Sequence, residues 1–123
     1  MEQYEQFTQR MEATYPKLFS GRYGGFAIGE GWYPIVESLC GHIQSYIDQT
    51  HKPQVIVTQI KEKFGTLRFY CDNGDDVIYD MIQNAEKQSA KTCEKCGNAG
   101  ARRTGGWLKT LCDHHESERQ LTR

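Results

Sequence analysis

The chain has 123 residues, of which 37% are hydrophobic and 25% charged, and its formal net charge is −1. A chain of this size and composition is typical of one folded domain, which excludes an intrinsically disordered protein. The small net charge excludes a global attraction to nucleic acid, and the lack of an apolar run of about 20 residues excludes a membrane-spanning helix.

Cysteine usage and the N-terminal sequence both indicate a cytoplasmic protein. Five cysteines are an odd number, which fits a disulfide-paired secreted domain poorly, and three of them occupy metal-ligand spacings. The first residues, MEQYEQFTQRMEATYP, lack the basic start and the apolar stretch of a secretory signal. The other two cysteines, Cys40 and Cys71, lie in apolar contexts, so we expect them to behave as small buried hydrophobes.

The N-terminal part of the chain predicts a helix followed by a glycine-rich loop. Apolar residues recur at three- and four-residue steps over residues 3–19, which predicts an amphipathic helix. These residues are Tyr4, Phe7, Met11, Tyr15 and Leu18. Residues 20–31 contain five glycines in twelve positions, too many for a regular element. Their spacing matches neither a P-loop nor a dinucleotide-binding motif, so we interpret the segment as a loop rather than a phosphate site.

The middle of the chain predicts a helix, a β-hairpin and a third helix. From Trp32 to about residue 49, apolar residues mark one face of a helix whose first turn contains Pro34. Residues 55–60 and 66–71 are rich in β-branched and aromatic side chains and flank a polar turn containing Gly65, which predicts a hairpin. A further apolar stripe after the turn DNGDD predicts a helix that runs to about residue 91.

The C-terminal segment, residues 91–119, carries two pairs of candidate metal ligands. Cys93 and Cys96 form a Cys-x-x-Cys turn. Cys112 and His115 follow at the start of a polar helix, where residues three apart share one face. Four sulfur and imidazole donors with these spacings predict a tetrahedral zinc site. A knuckle, a hairpin and a helix that donates the last two ligands are the order of a treble-clef-like zinc finger.

The four predicted ligands leave no open coordination position, so we expect a structural zinc ion and predict no catalytic residue. A metal-dependent nuclease or other hydrolase is the least favoured alternative. It would use His114, beside a ligand, as a general base, although a solvated histidine is the simpler interpretation. It would need either an open position on the zinc ion or a second metal ion held by carboxylates such as Asp72, Asp75 and Asp76, whose positions are typical of a turn and a helix start.

These elements together predict an α+β fold of three helices and a β-hairpin with a C-terminal treble-clef-like zinc finger. The chain has no repeat, low-complexity segment or evident linker, so residues 1–123 are predicted to form a single domain. Within that domain, we expect residues 91–119 to be a zinc-finger subdomain docked on an α/β core.

Motifs between about residues 29 and 115 also resemble a known protein family. They are GEGWYPIVESLCGHI, the hairpin segment VTQIKEKFGTLRFY, and the CEKCG and GGW motifs that lead to Cys112 and His115. With these motifs the chain resembles small proteins of bacteriophages, prophages and bacterial chromosomes that carry a C-terminal CxxCG…CxxH zinc finger. The resemblance implies no established enzymatic activity. Small accessory proteins of phages often act by binding a host macromolecule, and components of anti-phage defence are among these targets. The resemblance therefore implies a protein that binds such a partner in the host cytoplasm.

The first functional hypothesis is a non-enzymatic protein that binds, and thereby inhibits, a host protein. Aromatic and cationic side chains on or near loops are common binding residues. The candidates are Trp32, Tyr33, Lys61, Lys63, Phe64, Arg68 and Trp107. The alternative interpretation of Trp32, Phe64 and Trp107, which is the favoured one, is packing in the core or at a hinge.

The second hypothesis is a zinc finger that binds nucleic acid. Residues 85–123 hold eight bases against five acids, so the finger is locally basic and could contact phosphates. The candidate contacts are Lys95, Arg102, Arg103, Lys109 and Arg119. This hypothesis ranks second because the chain is slightly acidic and has no run of interleaved bases and aromatics.

Overall fold

The computed structural model describes residues 2–122 and shows an α+β fold with four α-helices and two small sheets. The helices are α1 (Tyr4–Thr14), α2 (Tyr33–Thr50), α3 (Asp76–Ser89) and α4 (Asp113–Leu121). The strands are β1 (Phe26–Ala27), β2 (Ile56–Lys63), β3 (Thr66–Asp72), β4 (Ala101–Arg103) and β5 (Lys109–Leu111). The fold class is as predicted, but the count of three helices is corrected to four in this range, because the polar helix predicted as part of the finger is a full α-helix of nine residues. None of the helices in residues 2–122 has the length and hydrophobicity that spanning a bilayer demands.

Helix α1 is shorter than its apolar pattern predicts, because it ends at Thr14 and not near residue 19. Tyr15 adopts φ −125° and ψ 56°. Pro16 follows it, and a proline disfavours the helical conformation in the residue before it. The Phe7 ring of α1 is buried and stacks on Tyr33 with centroids 3.9 Å apart. This contact fixes α1 against the start of α2.

The glycine-rich loop contains two short elements that the sequence did not predict. Phe26–Ala27 pairs in parallel with β2, and Phe26 lies opposite Ile60. Glu30–Trp32 forms a 3₁₀ turn that leads directly into α2. Both elements are too short to show a periodic pattern among the glycines. The loop is therefore fixed to the sheet at β1.

Strands β2 and β3 form the predicted hairpin, which closes with a two-residue turn. Phe64 and Gly65 have positive φ angles of 55° and 85°. Two successive positive φ angles suit the right-handed twist of the flanking strands. The turn therefore holds a large aromatic side chain at the tip of the hairpin, with a glycine beside it.

The hairpin has one apolar face and one cationic face. Ile60 lies opposite Phe69, and both are buried in the core. The next pair, Lys61 opposite Arg68, points to the other face because side chains alternate along a strand. Lys63, two residues after Lys61, lies on this same outer face. The hairpin therefore contributes to the core with one side and presents three cations on the other.

Helix α3 covers the side of β3 that faces away from β2. Asp75 caps the helix, and its side chain accepts a hydrogen bond from a backbone N–H of the first turn at 3.0 Å. Ser89 Oγ accepts a hydrogen bond from the Leu67 N–H at 2.9 Å. Glu86 Oε2 accepts one from the Phe69 N–H at 3.2 Å. Helix side chains thus satisfy backbone donors along the outer edge of the sheet.

The hydrophobic core collects residues from α1, α2, α3 and the three-stranded sheet. Cys40 on α2 is fully buried in it, and Cys71 on β3 is partly buried against it. Burial raises the pKa of both thiols. Both cysteines are therefore neutral at physiological pH and act as small apolar side chains, as predicted.

Candidate metal centre

Residues 93–98 form a knuckle that backbone hydrogen bonds hold. The Cys93 N–H donates to the Asn98 carbonyl at 2.7 Å, and the Gly97 N–H donates to the Cys93 carbonyl at 2.9 Å. Gly97 has a φ angle of 83°, which a glycine adopts without strain. The chain turns tightly enough here to bring the side chains of Cys93 and Cys96 to one cluster.

The second pair of donors comes from the hairpin and helix that follow. Strands β4 and β5 pair in antiparallel fashion, with Ala101 opposite Leu111. Cys112 comes directly after β5 and stands at the N-cap of α4. His115 lies three residues later, on the same face of the helix. The hairpin therefore carries the start of α4 back to the knuckle.

The four predicted ligands are brought together, and all four donor atoms lie within 4.8 Å of one another. The Sγ atoms of Cys96 and Cys112 are 3.8 Å apart. His115 Nδ1 lies 3.5 Å from Cys93 Sγ and 3.2 Å from Cys112 Sγ. Cys93, Cys96, Cys112 and His115 could therefore hold a metal ion.

These spacings fit one tetrahedral ion. With sulfur about 2.3 Å and nitrogen about 2.0–2.1 Å from an ion, tetrahedral angles place two sulfurs about 3.8 Å apart and a sulfur and a nitrogen about 3.5 Å apart. The 3.8 Å and 3.5 Å distances agree with these values. The 3.2 Å distance from Cys112 to His115 is a few tenths of an ångström shorter. Three of the six distances among the donor atoms are therefore close to those of a tetrahedral site, and the other three are no longer than 4.8 Å.

Backbone N–H groups favour the thiolate form of Cys93. Burial alone would raise the pKa of the Cys93 thiol, but three backbone N–H groups, those of Cys112, Cys96 and Lys95, outweigh burial and lower that pKa to about 6. The N–H of Asn98 acts in the same direction on Cys96, yet burial and the neighbouring sulfurs leave the pKa of Cys96 raised. A bound cation would replace the protons of the coordinating thiols.

His114 lies outside the four-donor cluster. Its side chain is 73% exposed, and its Nε2 lies 2.7 Å from Glu118 Oε1. His114, Glu118 and His115 form a second group of donors within 4.8 Å, but His114 and Glu118 are exposed to solvent. The structure thus places His114 at the surface with a carboxylate partner, as the simpler sequence interpretation held.

The three aspartates considered for a second metal ion do not form a donor group in residues 2–122. Asp75 instead caps α3 and accepts a hydrogen bond from the Tyr46 hydroxyl at 2.5 Å. That hydrogen bond, followed by one from the Ile78 N–H, lowers the pKa of Asp75. Asp72 ends β3 and Asp76 begins α3. Their roles are those of a strand end and a helix start.

Exchanging the two adjacent histidines for alanine is expected to have unequal effects on metal retention. In His115→Ala the cluster loses its imidazole donor, and we expect the purified protein to retain less than about one tenth of its metal after dialysis. The His114→Ala protein should retain the full amount of metal, because position 114 is rotated roughly 200° around the helix from Cys112. Elemental analysis of both proteins gives the answer. Full retention in the His115 variant with loss in the His114 variant would overturn the ligand assignment.

The knuckle docks on the core through contacts that the sequence did not reveal. The Gly31 N–H donates to the Glu94 carbonyl at 2.7 Å. The Gly29 N–H donates to the Glu94 side chain at 2.9 Å, and Trp32 Nε1 donates to the Thr92 carbonyl at 2.8 Å. Glu94 is only 8% exposed, and its burial raises the pKa of its carboxyl against the opposing effect of the Gly29 N–H. The start of α2 and the knuckle therefore support each other.

The structure divides the aromatic candidates for partner binding into two groups. Trp32 and Tyr33 are 0% and 4% exposed, so both side chains belong to the core and offer a partner almost no surface. Phe64 and Trp107 are 58% and 75% exposed, so the alternative interpretation of these two as core residues is wrong. The cationic candidates of the same hypothesis lie on the outer face of the hairpin, beside Phe64.

Several cations proposed to contact nucleic acid are engaged elsewhere. Arg103 pairs with Asp113 at 2.8 Å. Arg119 pairs with Glu116 at 2.9 Å, and both side chains are largely buried. Lys95 lines a different cleft, together with residues of α1 and the glycine-rich loop. The basic residues of the finger therefore do not form one free surface.

The two remaining cations, Arg102 and Lys109, lie where the finger meets the hairpin tip. Arg102 Nε donates to the Phe64 carbonyl at 2.8 Å. Thr110 Oγ1 donates to the Gly65 carbonyl at 2.6 Å, which holds β5 and hence Lys109 next to the turn. The β4–β5 hairpin is thereby docked on the tip of the β2–β3 hairpin.

No protein-family model, no curated protein and no solved structure matches this chain. The resemblance to phage and prophage proteins, which rests on sequence motifs, therefore stays a prediction. The donor cluster and the exposed aromatic pair are the features of the described residues from which a function can be proposed.

Proposed function

We propose that the four-donor cluster holds a structural zinc ion, and that the chain is a non-enzymatic accessory protein that binds a macromolecule of a bacterial host. The convergence of three thiols and one imidazole within 4.8 Å carries the proposal. A site of this kind stabilises a binding surface and does not itself transform a substrate.

Zinc is the ion that this donor set favours. Three thiolates and one imidazole in a tetrahedron are a common structural zinc site, whereas magnesium and calcium prefer oxygen donors. The succession of knuckle, β4–β5 hairpin and α4 supports a treble-clef-like finger. The buried apolar cluster of the finger consists of Cys93, Leu111 and Cys112, with Cys96 packed against it. So small a cluster cannot hold the segment alone, and zinc would contribute on the order of 10 kcal/mol of apparent folding free energy.

The closed donor set supports a structural and not a catalytic metal. Four protein donors complete a tetrahedron and leave no position for water or substrate. Full burial of Cys40 and partial burial of Cys71, the cysteines outside the cluster, raise the pKa of both thiols, which opposes a role as nucleophiles. Both observations favour a binding protein over a hydrolase.

A host protein is the partner that we propose, with a component of anti-phage defence as its biological class. The resemblance to phage and prophage proteins supports this class, and with it the proposal that the protein acts in the bacterial cytoplasm. The exposure of Phe64 and Trp107 supports protein binding, because large aromatic residues at a surface are common binding residues. The internal pairing of Arg103 and Arg119 weakens the nucleic-acid alternative.

Metal analysis and affinity capture together test the proposed function. We expect about one zinc ion per chain in freshly purified protein. Affinity capture from lysate of the native host, with mass spectrometry and nucleic-acid detection on the same eluate, should recover a host protein. That protein should still be captured after the lysate has been treated with nuclease. Protein without zinc would overturn the structural assignment, and recovery of nucleic acid without a protein partner would favour the alternative.

A further inference from the structure

An open groove lies where the tip of the β2–β3 hairpin meets the loop between β4 and β5. Its volume is about 450 Å³. We call it the aromatic groove, and it is lined by Glu62, Lys63, Phe64, Gly106, Trp107 and Leu108. Two strongly exposed aromatic rings at a single concave site leave apolar area in water, which is the usual mark of an interaction surface.

Hydrogen bonds hold the backbone of both walls of the aromatic groove, although the rings of Phe64 and Trp107 are exposed. Arg102 Nε donates to the Phe64 carbonyl at 2.8 Å, and Arg119 Nη1 donates to the Trp107 carbonyl at 2.5 Å. The Gly65 N–H donates to the Glu62 side chain at 2.7 Å. With the backbone of both walls fixed, a ligand would pay little ordering entropy on binding.

The groove adjoins the cationic outer face of the hairpin, formed by Lys61, Lys63 and Arg68. Lys61 lies directly opposite Arg68, and like charges in this position repel each other. The remaining outer-face positions between residues 59 and 70 are Gln59, Thr66 and Tyr70, and none of these carries a carboxylate. A partner with negative charge would relieve this repulsion.

The shape of the surface favours a polypeptide over a nucleic acid. Stacked bases need aromatic rings along a positively charged track. Here the rings meet at one groove that includes the carboxylate of Glu62, which repels phosphate. Lys63 lines the groove itself. Lys61 and Arg68 lie about three strand residues from the hairpin turn, roughly 10 Å at about 3.3 Å per residue. An extended peptide with an apolar side chain in the groove would place acidic residues opposite these cations about three positions further along.

We propose that the aromatic groove and the cationic face together bind an acidic segment of a host polypeptide that carries one bulky apolar side chain. The inference rests on the proposed function, because it names the surface and the chemistry by which a host protein would be bound.

Selection from a displayed library of random peptides tests this inference. Peptides of about 12 residues are long enough to span the groove and the cationic face. The bait is the zinc-loaded protein, and the counter-selection uses Phe64→Ser/Trp107→Ser, which removes two exposed rings. We expect peptides that prefer the unmodified protein by at least about tenfold and that carry a large apolar residue with Asp or Glu within about four positions. Equal selection on both baits, or selected peptides without acidic residues, would overturn the proposal.

Charge reversal provides a second, independent measurement on the best selected peptide. In the double variant Lys61→Glu/Arg68→Glu, the dissociation constant of the peptide, measured by fluorescence anisotropy, should rise at least about tenfold. The control is Lys17→Glu, which reverses an exposed charge outside the cationic face and should leave the dissociation constant unchanged. Tighter binding of oligo(dT) than of any peptide, lost in Phe64→Ser/Trp107→Ser, would assign the surface to nucleic acid instead. Self-association of the unmodified protein that is lost in the same variant would assign it to a second copy of the chain. Either result would contradict the proposal.

The outcome can be separated from a failure of the proposed function. If the host protein captured by the unmodified chain is retained equally by Phe64→Ser/Trp107→Ser, the proposed function stands and the inference about the groove is wrong. Zinc content and thermal unfolding of the variant should match those of the unmodified protein, since both rings are exposed. This control excludes loss of binding through unfolding.

Discussion

Replacing Cys93 with serine is expected to remove the metal ion and unfold the C-terminal segment. Cys93 is fully buried among the other donors, and its backbone forms two hydrogen bonds of the knuckle. Without the proposed zinc ion, on the order of 10 kcal/mol of apparent folding free energy is lost, far more than the finger can supply by packing. Elemental analysis should find less than about one tenth of a zinc ion per chain, and hydrogen exchange should show loss of protection across residues 91–119.

The loss of hydrogen-exchange protection in Cys93→Ser should also extend into the core at one place. The N–H groups of Gly29 and Gly31 bond to Glu94, so they should lose protection together with the knuckle. The centre of α2 and the β2–β3 hairpin should keep theirs, because their own apolar faces pack in the core. Cys71→Ser, which alters a cysteine outside the cluster, should retain zinc and full protection. Normal zinc content in Cys93→Ser would refute the site.

Substituting Gly31 by alanine is expected to cost about 3 kcal/mol of stability or more, because the 3₁₀ turn lies directly on the knuckle. An added Cβ would overlap the Cys93 carbonyl oxygen and would lie 2.6 Å from the Gly97 nitrogen and 2.7 Å from the Glu94 carbonyl carbon. These are backbone atoms, so no side-chain rotation can relieve the overlap. The knuckle must move away from the core, and Tm should fall by roughly 10 °C or more in a calorimetric scan.

Gly41→Ala is the matched control for this substitution. Gly41 lies inside α2, where alanine is the better helix former by about 1 kcal/mol. Its added Cβ would meet only the Tyr15 hydroxyl, at 3.0 Å, which a small side-chain movement can accommodate. We expect an unchanged or slightly higher Tm. A Gly31→Ala protein that melts like the Gly41→Ala protein would show that the knuckle does not dock as described.

The features that could be predicted from the sequence are those that local rules determine. Cys112 and His115 share a helix face because they are three residues apart, and Cys93 and Cys96 form a knuckle because a glycine follows them. The hairpin followed from two β-rich runs around Gly65. In each case the residues that decide the structure are neighbours along the chain.

The features that could not be predicted depend on contacts between distant parts of the chain. Nothing in the sequence pairs Gly31 with Glu94, although the docking of the knuckle depends on them. The exposure of Phe64 and Trp107 was equally hidden, since aromatic residues are used both in cores and at binding surfaces. Burial depends on which elements pack together. The spacing of apolar residues along the sequence does not predict it for residues in turns.

The side chains that cover the outer edge of β3 have a consequence for the behaviour of the protein at high concentration. An edge strand with free N–H groups is a template on which a strand of another molecule can add, which leads to aggregation. Here the Leu67 and Phe69 N–H groups are already bonded to Ser89 and Glu86 of α3. On this side of the sheet, these two N–H groups are therefore not available to pair with a strand of another molecule. A chain produced in large amounts can in this way keep its aromatic surface exposed without growing into fibres through this edge of its sheet.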